Sequence, residues 1–287
     1  MKSTTITEEQ VGERLDVAAV QVMPKLSRAF VQKLCDTGKI LINDKRAKPG
    51  YKVRSGDILK IDFNETELEQ IPHINIPIVY QDDDCIVLNK PVGLLTHSKG
   101  AFNPEATVAT FLQGHAKGME GDRAGIVHRL DRATSGVIIG AKTPSALAWL
   151  QKQFSQRKVK KTYIAIVQGK LAEPHAIIDM PIERNPKKPQ TFRVGSNGKS
   201  ALTEYKVLAE NDILSMLELT PQTGRTHQLR VHLSHIGHPI LGDDFYGGKP
   251  SKRLFLHALR LEITLPSRER KIFEAPLPAQ FKETMEA

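Results

Sequence analysis

Long apolar runs are missing from this 287-residue chain. No window approaches the roughly eighteen apolar residues of a membrane span, and the start, MKSTTITEEQ, lacks the basic-then-apolar pattern of a secretory signal. Only two cysteines occur, Cys35 and Cys85, spaced for neither a zinc site nor a disulfide framework. A soluble, cytoplasmic protein in a reducing compartment, with no membrane partner, is expected. Internal repeats and low-complexity tracts are absent too, which excludes solenoids and disordered arrays. No heptad pattern marks an oligomer interface, so a monomer is expected. What the chain does have is length for about two domains and an excess of positive charge. Its 41 Lys and Arg against 32 Asp and Glu, a net +9, suit a partner carrying phosphates.

Residues 12–63 read as a compact unit. Arg14 to Met23 and Ser27 to Thr37 have helical character, the second with Ser27 as a candidate N-cap and Gly38 as its stop. Residues 39–43 alternate into an Asn43-Asp44 turn, and residues 57–62 alternate again after Ser55-Gly56, which predicts short strands. Residues 1–63 carry twelve Lys and Arg against eight Asp and Glu. This stretch resembles the small RNA-binding domain shared by a ribosomal protein and some tRNA synthetases. The resemblance implies a phosphate-contacting face, to which Arg28, Lys33, Lys39 and Arg46 are assigned, because sequence-independent grip on RNA comes from cations set against its backbone. Solvated surface charge is the plain alternative for any one of them.

Residues 64–73 turn acidic and polar, and prolines recur through Pro77, which predicts a linker over 64–73 and a second domain over 74–287. In that second domain, strand-like runs recur at 85–89, 136–140, 163–167 and 216–219. The clearest helix follows Thr143, with Leu147, Leu150 and Phe154 on one stripe. The fold class is α+β: a small helix-rich domain, then a mixed, mainly antiparallel sheet flanked by helices.

Three segments carry candidate chemistry. HisArgLeuAspArgAlaThrSerGly (128–136) sets Asp131 between Arg129 and Arg132 just before an apolar strand, a crowding that fits either a functional carboxylate or a salt-bridged surface loop. LysLysThrTyrIleAlaIleValGlnGly (160–169) opens a strand with Tyr163, where an aromatic is usually core. ProGlnThrGlyArgThrHisGlnLeuArgValHis (221–232) places Arg225 after a glycine at a helix start, with Leu229, Leu233 and Ile236 as the buried stripe. His227, His232, His235 and His238 could be drawn as a zinc cluster. Without thiolates or a HisGluXaaXaaHis pattern that reading is set aside, and no metal is assigned.

Taken together, these segments resemble the RluA-type pseudouridine synthases, in the family's order and over nearly the whole chain. Also matching are AsnLysProValGlyLeuLeuThrHis (89–97), HisProIleLeuGlyAsp (238–243), TyrGlyGly (246–248) and LeuHisAla (256–258). The resemblance implies an isomerase that rearranges uridines in RNA. Asp131 is then the catalytic aspartate, Tyr163 the pocket aromatic and Arg225 the basic partner of the aspartate, with His128 and Leu229 lining the pocket. Asp131 serves either as nucleophile toward the sugar or as the base that drives elimination. Their adjacency to Asp131, and that alone, makes Arg129 or Arg132 the candidate to fill the gap left by the extruded base. An isomerisation has no net redox change or group transfer, so no cofactor is expected. Large-subunit ribosomal RNA, or an assembling subunit, is the expected partner. The rivals are a noncatalytic RNA-binding or ribosome-assembly protein of the same architecture, a tRNA-directed synthase, and, more distantly, a metal-dependent nuclease.

Overall fold

The computed structural model describes residues 2–24, 26, 28–63, 74–97, 105–119, 123 and 125–286. The chain divides into two compact units, residues 1–74 with 97–110 and residues 75–96 with 111–287. The expected linker over 64–73 and the candidate N-cap Ser27 lie outside the described residues.

In the first unit, strand β1 (Lys2–Thr5) precedes helices α1 (Leu15–Val22) and α2 (Arg28–Asp36), and strands β2 (Ile40–Ile42), β3 (Lys45–Arg46) and β4 (Ile58–Ile61) follow. The sheet order is β1-β4-β2-β3. Lys2 to Thr5, ahead of the expected 12–63 span, pair antiparallel with β4 and cover its free edge. Asn43 and Asp44 both adopt positive φ, which is what a tight turn between β2 and β3 requires. Asp16 is fully buried on α1. Burial raises its carboxyl, but hydrogen bonds from Arg14, Gln32 and Arg28 outweigh that and hold it well below the usual carboxylate range. Arg28, assigned to the phosphate-contacting face, also has a partner within the unit: its Nε lies 3.1 Å from Asp16 and its half-exposed guanidinium braces α2 against α1. Lys33, Lys39 and Arg46 remain exposed.

The second unit is built on a nine-stranded sheet. Its elements in chain order are β5 (Ile78–Gln81), β6 (Cys85–Lys90), α3 (Val108–Gln113), β7 (Ser135–Ala141), α4 (Pro144–Ser155), β8 (Lys160–Gln168), β9 (His175–Asp179), β10 (Ile182–Arg184), β11 (Phe192–Val194), β12 (Leu202–Glu210), β13 (Leu214–Pro221), α5 (Gln228–His235), β14 (Leu256–Thr264), β15 (Arg270–Glu274) and α6 (Gln280–Glu286). The order is β5-β6-β7-β14-β8-β13-β12-β9, with β15 on β14, while β10 and β11 form a separate hairpin. Only the β7–β14 pairing is parallel; the others are antiparallel, as expected. Continuous apolar runs such as Ile164 to Val167 are buried, the mark of strands covered on both faces. Helix α4 starts with Thr143 accepting from the Ala146 N–H and Pro144 in the first turn, and it buries Ala146 and Leu150. No helix among the described residues is long and apolar enough to cross a membrane.

The parallel contact sets the position of the 128–134 loop. Gly136 has φ +114, and a Cβ there would lie 2.2 Å from the Ala258 carbonyl oxygen, so only glycine lets β7 approach β14. Beside it His257, buried and pushed down to about 4 by that burial, donates through Nε2 to the Ala275 carbonyl and accepts from the Ser135 hydroxyl at Nδ1. Gly136→Ala is expected to destabilise the second unit by at least about 3 kcal/mol, through strain and a backbone clash that no side-chain rotation relieves. Chemical denaturation of the full chain followed at Trp149 measures it.

Candidate active site

The loop from His128 to Thr134 is clamped by the segment that follows β6. Lys90 is fully buried, and its ammonium donates to the carbonyls of Pro91 (3.0 Å), Leu94 (2.8 Å) and Arg132 (3.3 Å). Burial pushes this lysine down to about 7, opposed by the charge of Asp131. Thr96 donates to the Leu130 carbonyl at 2.7 Å and accepts the Leu130 N–H at 3.1 Å, and the Gly93 N–H reaches the Arg132 carbonyl. These bonds explain why lysine, glycine and threonine stand where they do in residues 89–97: each one fixes the backbone on either side of Asp131. Buried polar groups that carry full complements of partners rigidify what they hold.

The opposite wall comes from the turn between β13 and α5. Gln228, buried at the helix start, accepts from the Thr223 hydroxyl (2.7 Å) and the Arg225 N–H (3.0 Å) while its amide donates to Leu202 and Thr203. His227 precedes it in the left-handed region, φ 57 and ψ 19, a conformation that costs a non-glycine residue on the order of 1 kcal/mol and is found at functional sites.

Between these walls lies a cavity of about 270 Å³. His128, Arg129, Asp131, Tyr163, Arg225 and Leu229 all line it, so the structure brings most of the expected site residues together. Arg132 lies outside the lining; it is exposed, with its carbonyl held by Lys90 and Gly93. His128 stacks on Phe154 at 4.4 Å and its Nε2 accepts the Ile139 N–H, and burial pushes it down to about 3. It is a neutral structural ring. Tyr163 opens the expected strand and lines the cavity while packing against the core; burial, then the charge of Asp131, raises its hydroxyl, which stays protonated at neutral pH.

The assignment of Arg225 as partner of the aspartate is overturned. Its Nε donates to the Ser200 carbonyl at 2.9 Å, on the exposed rim. The cation at Asp131 is Arg230, one turn into α5, whose Nη1 lies 3.9 Å from Asp131 Oδ2. Arg230 is itself fixed by a two-pronged bond to the buried Asp243, Nε and Nη2 each at 2.7 Å. Its guanidinium also lies over the Tyr246 ring at 5.0 Å. The reason is geometric: Arg225 sits in the turn before the helix with its Nε turned to Ser200 at the rim, whereas Arg230 falls on the face of α5 that looks back at the loop. The signal available in the sequence was a lone arginine among Leu229, Val231 and Leu233, since a cation on an apolar stripe must be paired.

His227 Nε2 lies 3.8 Å from Asp131 Oδ2, so two nitrogens flank the carboxylate. Of the histidines once drawable as a zinc cluster, His232 bonds Thr203 and the Met180 carbonyl, and His238 bonds the Gln168 carbonyl. Among the described residues, no group of three or more His, Cys, Asp or Glu side chains converges as metal ligands would.

A carboxylate held this way, in a cavity walled by a protonated phenol, can attack carbon or take a proton. A family model described as RNA pseudouridylate synthase matches residues 84–235, and one for the S4 domain matches residues 13–59. The chain belongs to the RNA pseudouridylate synthase family. It is an isomerase that converts uridine in RNA to pseudouridine. The synthase is 36% identical over 309 residues to Ribosomal large subunit pseudouridine synthase D of Haemophilus influenzae, spanning 99% of this chain and 94% of that one. A second relative, an uncharacterized RNA pseudouridine synthase of Aquifex aeolicus, is 37% identical over 306 residues, with 98% and 96% covered. Among solved structures, Human RNA Pseudouridylate Synthase Domain Containing 1 matches with a TM-score of 0.60 at 30% identity, covering 75% of the synthase and 97% of its own chain.

The two arginines of the synthase separate experimentally. Arg230→Ala leaves Asp243 buried and unpaired and is expected to lower single-turnover pseudouridine formation by about 100-fold or more, equivalent to about 3 kcal/mol. Arg225→Ala, on the rim, is expected to cost less than about fivefold. The reverse ranking would return Arg225 to the aspartate.

Proposed function

We propose that Asp131 is the catalytic carboxylate of a synthase that modifies large-subunit ribosomal RNA in the cytoplasm. The observation that carries the catalytic part is the placement of Asp131: its loop is fixed by Lys90 and Thr96, and it faces the cavity with Arg230 at 3.9 Å and Tyr163 on the wall. The substrate class is supported by the printed name of the Haemophilus relative and by the S4 match.

The reaction breaks the bond between uracil N1 and C1′ of the ribose and forms one between C5 and C1′; C5 gives up a proton and N1 gains one. Detaching, turning and rejoining the base needs a site that retains both fragments. A uridine stacked in RNA first leaves its stack, at a cost of a few kcal/mol. Arg129, exposed and lining the cavity, stands where it can fill the vacated place, and Arg132, outside the lining, does not. Asp131 then acts on the sugar or on its C2′ proton; either route needs an ionised, oriented carboxylate, and Arg230 balances its charge. The Tyr163 ring offers uracil a stacking wall. Its hydroxyl, too weak an acid to give up a proton outright, serves the late transfer at C5 as a relay that accepts and donates together. The exposed Lys33, Lys39 and Arg46 of the first unit grip phosphates without reading sequence.

Pseudouridine mapping by chemical adduct and primer extension tests both parts, comparing cells with the wild-type protein and with Asp131→Ala at equal protein levels. Loss of sites in large-subunit RNA is expected. Loss only in tRNA would move the substrate, and unchanged sites would mean that Asp131 is not the catalytic group. Tyr163→Phe should retain RNA binding and lose turnover; retained turnover would confine Tyr163 to stacking.

A further inference from the structure

His227 lines the cavity, and the catalytic reading gives its placement no role. Its ring bridges two parts of the second unit. Nε2 faces Asp131 at 3.8 Å, and Nδ1 lies 2.7 Å from the Tyr246 hydroxyl. That hydroxyl accepts the backbone N–H of Phe192, on the β10–β11 hairpin, at 3.0 Å. The rings of Phe192 and Tyr246 stand nearly perpendicular to the imidazole, with ring centroids 5.7 and 5.6 Å away. The residue holds this position in a strained left-handed backbone conformation, which something in the site must hold in place.

The hydrogen-bond inventory fixes where the protons go. The Tyr246 oxygen already accepts from Phe192 and has a single proton to give. Given to Nδ1, it leaves the imidazole proton on Nε2, facing the carboxylate. The opposite tautomer would leave the phenol proton without a partner and aim the Nε2 lone pair at an anionic oxygen, so both ends of the ring would be unfavourable. Burial, with Arg230 and Arg129, lowers the histidine, against the opposing charges of Asp131 and Asp243, and this favours the neutral ring.

We propose that His227 is a positioning residue for Asp131, presenting a neutral Nε2–H to the carboxylate in a tautomer fixed by the Tyr246 hydroxyl. The inference rests on Asp131 being the catalytic group. A neutral donor has a use that a second cation would not. Arg230 already balances the charge, and a further cation would bind the carboxylate so tightly that its attack on carbon or on a proton would slow, whereas an uncharged N–H orients one oxygen and leaves the other free. At 3.8 Å the contact is longer than a hydrogen bond; such contacts are often long without substrate and shorten when the site fills. The chain Phe192 N–H, Tyr246 hydroxyl, His227, Asp131 also makes the docking of the β10–β11 hairpin felt at the reacting carboxylate.

The test combines a spectrum with kinetics, both on the full chain. Imidazole 15N shifts, with His227 assigned by its absence in His227→Gln, should show the Nε2–H tautomer in the wild type and a mixture in Tyr246→Phe, which keeps the ring and removes only the hydroxyl. In steady-state assays on RNA, Tyr246→Phe should lower kcat by about tenfold with KM unchanged, the equivalent of one lost neutral hydrogen bond. His227→Ala should lose at least as much. His227→Gln should recover most of it, because its amide can donate to Asp131 while its carbonyl accepts from Tyr246. An Nδ1–H tautomer in the wild type, a loss confined to KM, or full turnover in His227→Ala would overturn the proposal. The spectrum needs no activity, so if Asp131 proves not to be catalytic the tautomer result still stands apart from that failure.

Discussion

The guanidinium of Arg230 joins two carboxylates that differ in everything but charge. Asp243 is buried, takes Nε and Nη2 at 2.7 Å each, and has no room to move. Asp131 is partly open to solvent and receives Nη1 at 3.9 Å. Desolvating a cation and an anion costs several kcal/mol unless the geometry is close to ideal, and the two-pronged bond to Asp243 supplies that geometry. Because the planar fork is fixed on one side, its third nitrogen is fixed on the other. The position of charge in the cavity is thereby decided by a residue that never meets substrate, and α5, the β13–α5 turn and the 128–134 loop are arranged around that one constraint.

The rest of the site is a set of backbone anchors that keep two walls in register with it. Lys90 and Thr96 fasten the aspartate loop, and Gln228 fastens the turn before α5. Gly136 allows the close parallel approach of β7 to β14 that starts the loop at the right height. Dipoles and charges that are in place before the reaction do not have to reorganise during it, and such preorganisation is a large source of rate enhancement. On the role proposed for Asp131, the fold bears the cost of orienting it, so RNA binding need only deliver a turned-out uridine.

Much of the fold was legible because it rests on local patterns. The apolar runs at 85–89, 136–140, 163–167 and 216–219 each fall within a strand, and Thr143 caps the helix it was expected to cap. The first strand, Lys2–Thr5, was missed because KSTT is short and polar and becomes a strand only by pairing with β4. The placement of Asp131 and Tyr163 at one cavity was legible through motif resemblance. Arg225 was misassigned because adjacency to a glycine says nothing of which way a side chain points; helical phase does, and it puts Arg230, five residues on, against the loop. Lys90, Thr96 and Gln228 act through backbone atoms of distant segments, and nothing in their own spacing shows those partners.

The most direct measurement follows the proton that must leave. RNA transcribed with tritium at uracil C5 releases it once per pseudouridine formed, so release from a large-subunit transcript counts turnovers without regard to which site is modified. Asp131→Asn keeps the side-chain volume and removes the anionic oxygen. Wild-type protein should release tritium to a plateau set by the number of target sites, and Asp131→Asn should bind the same RNA equally well and release none. Release by Asp131→Asn at a comparable rate would mean that the carboxylate at the centre of this cavity is not the group that performs the chemistry.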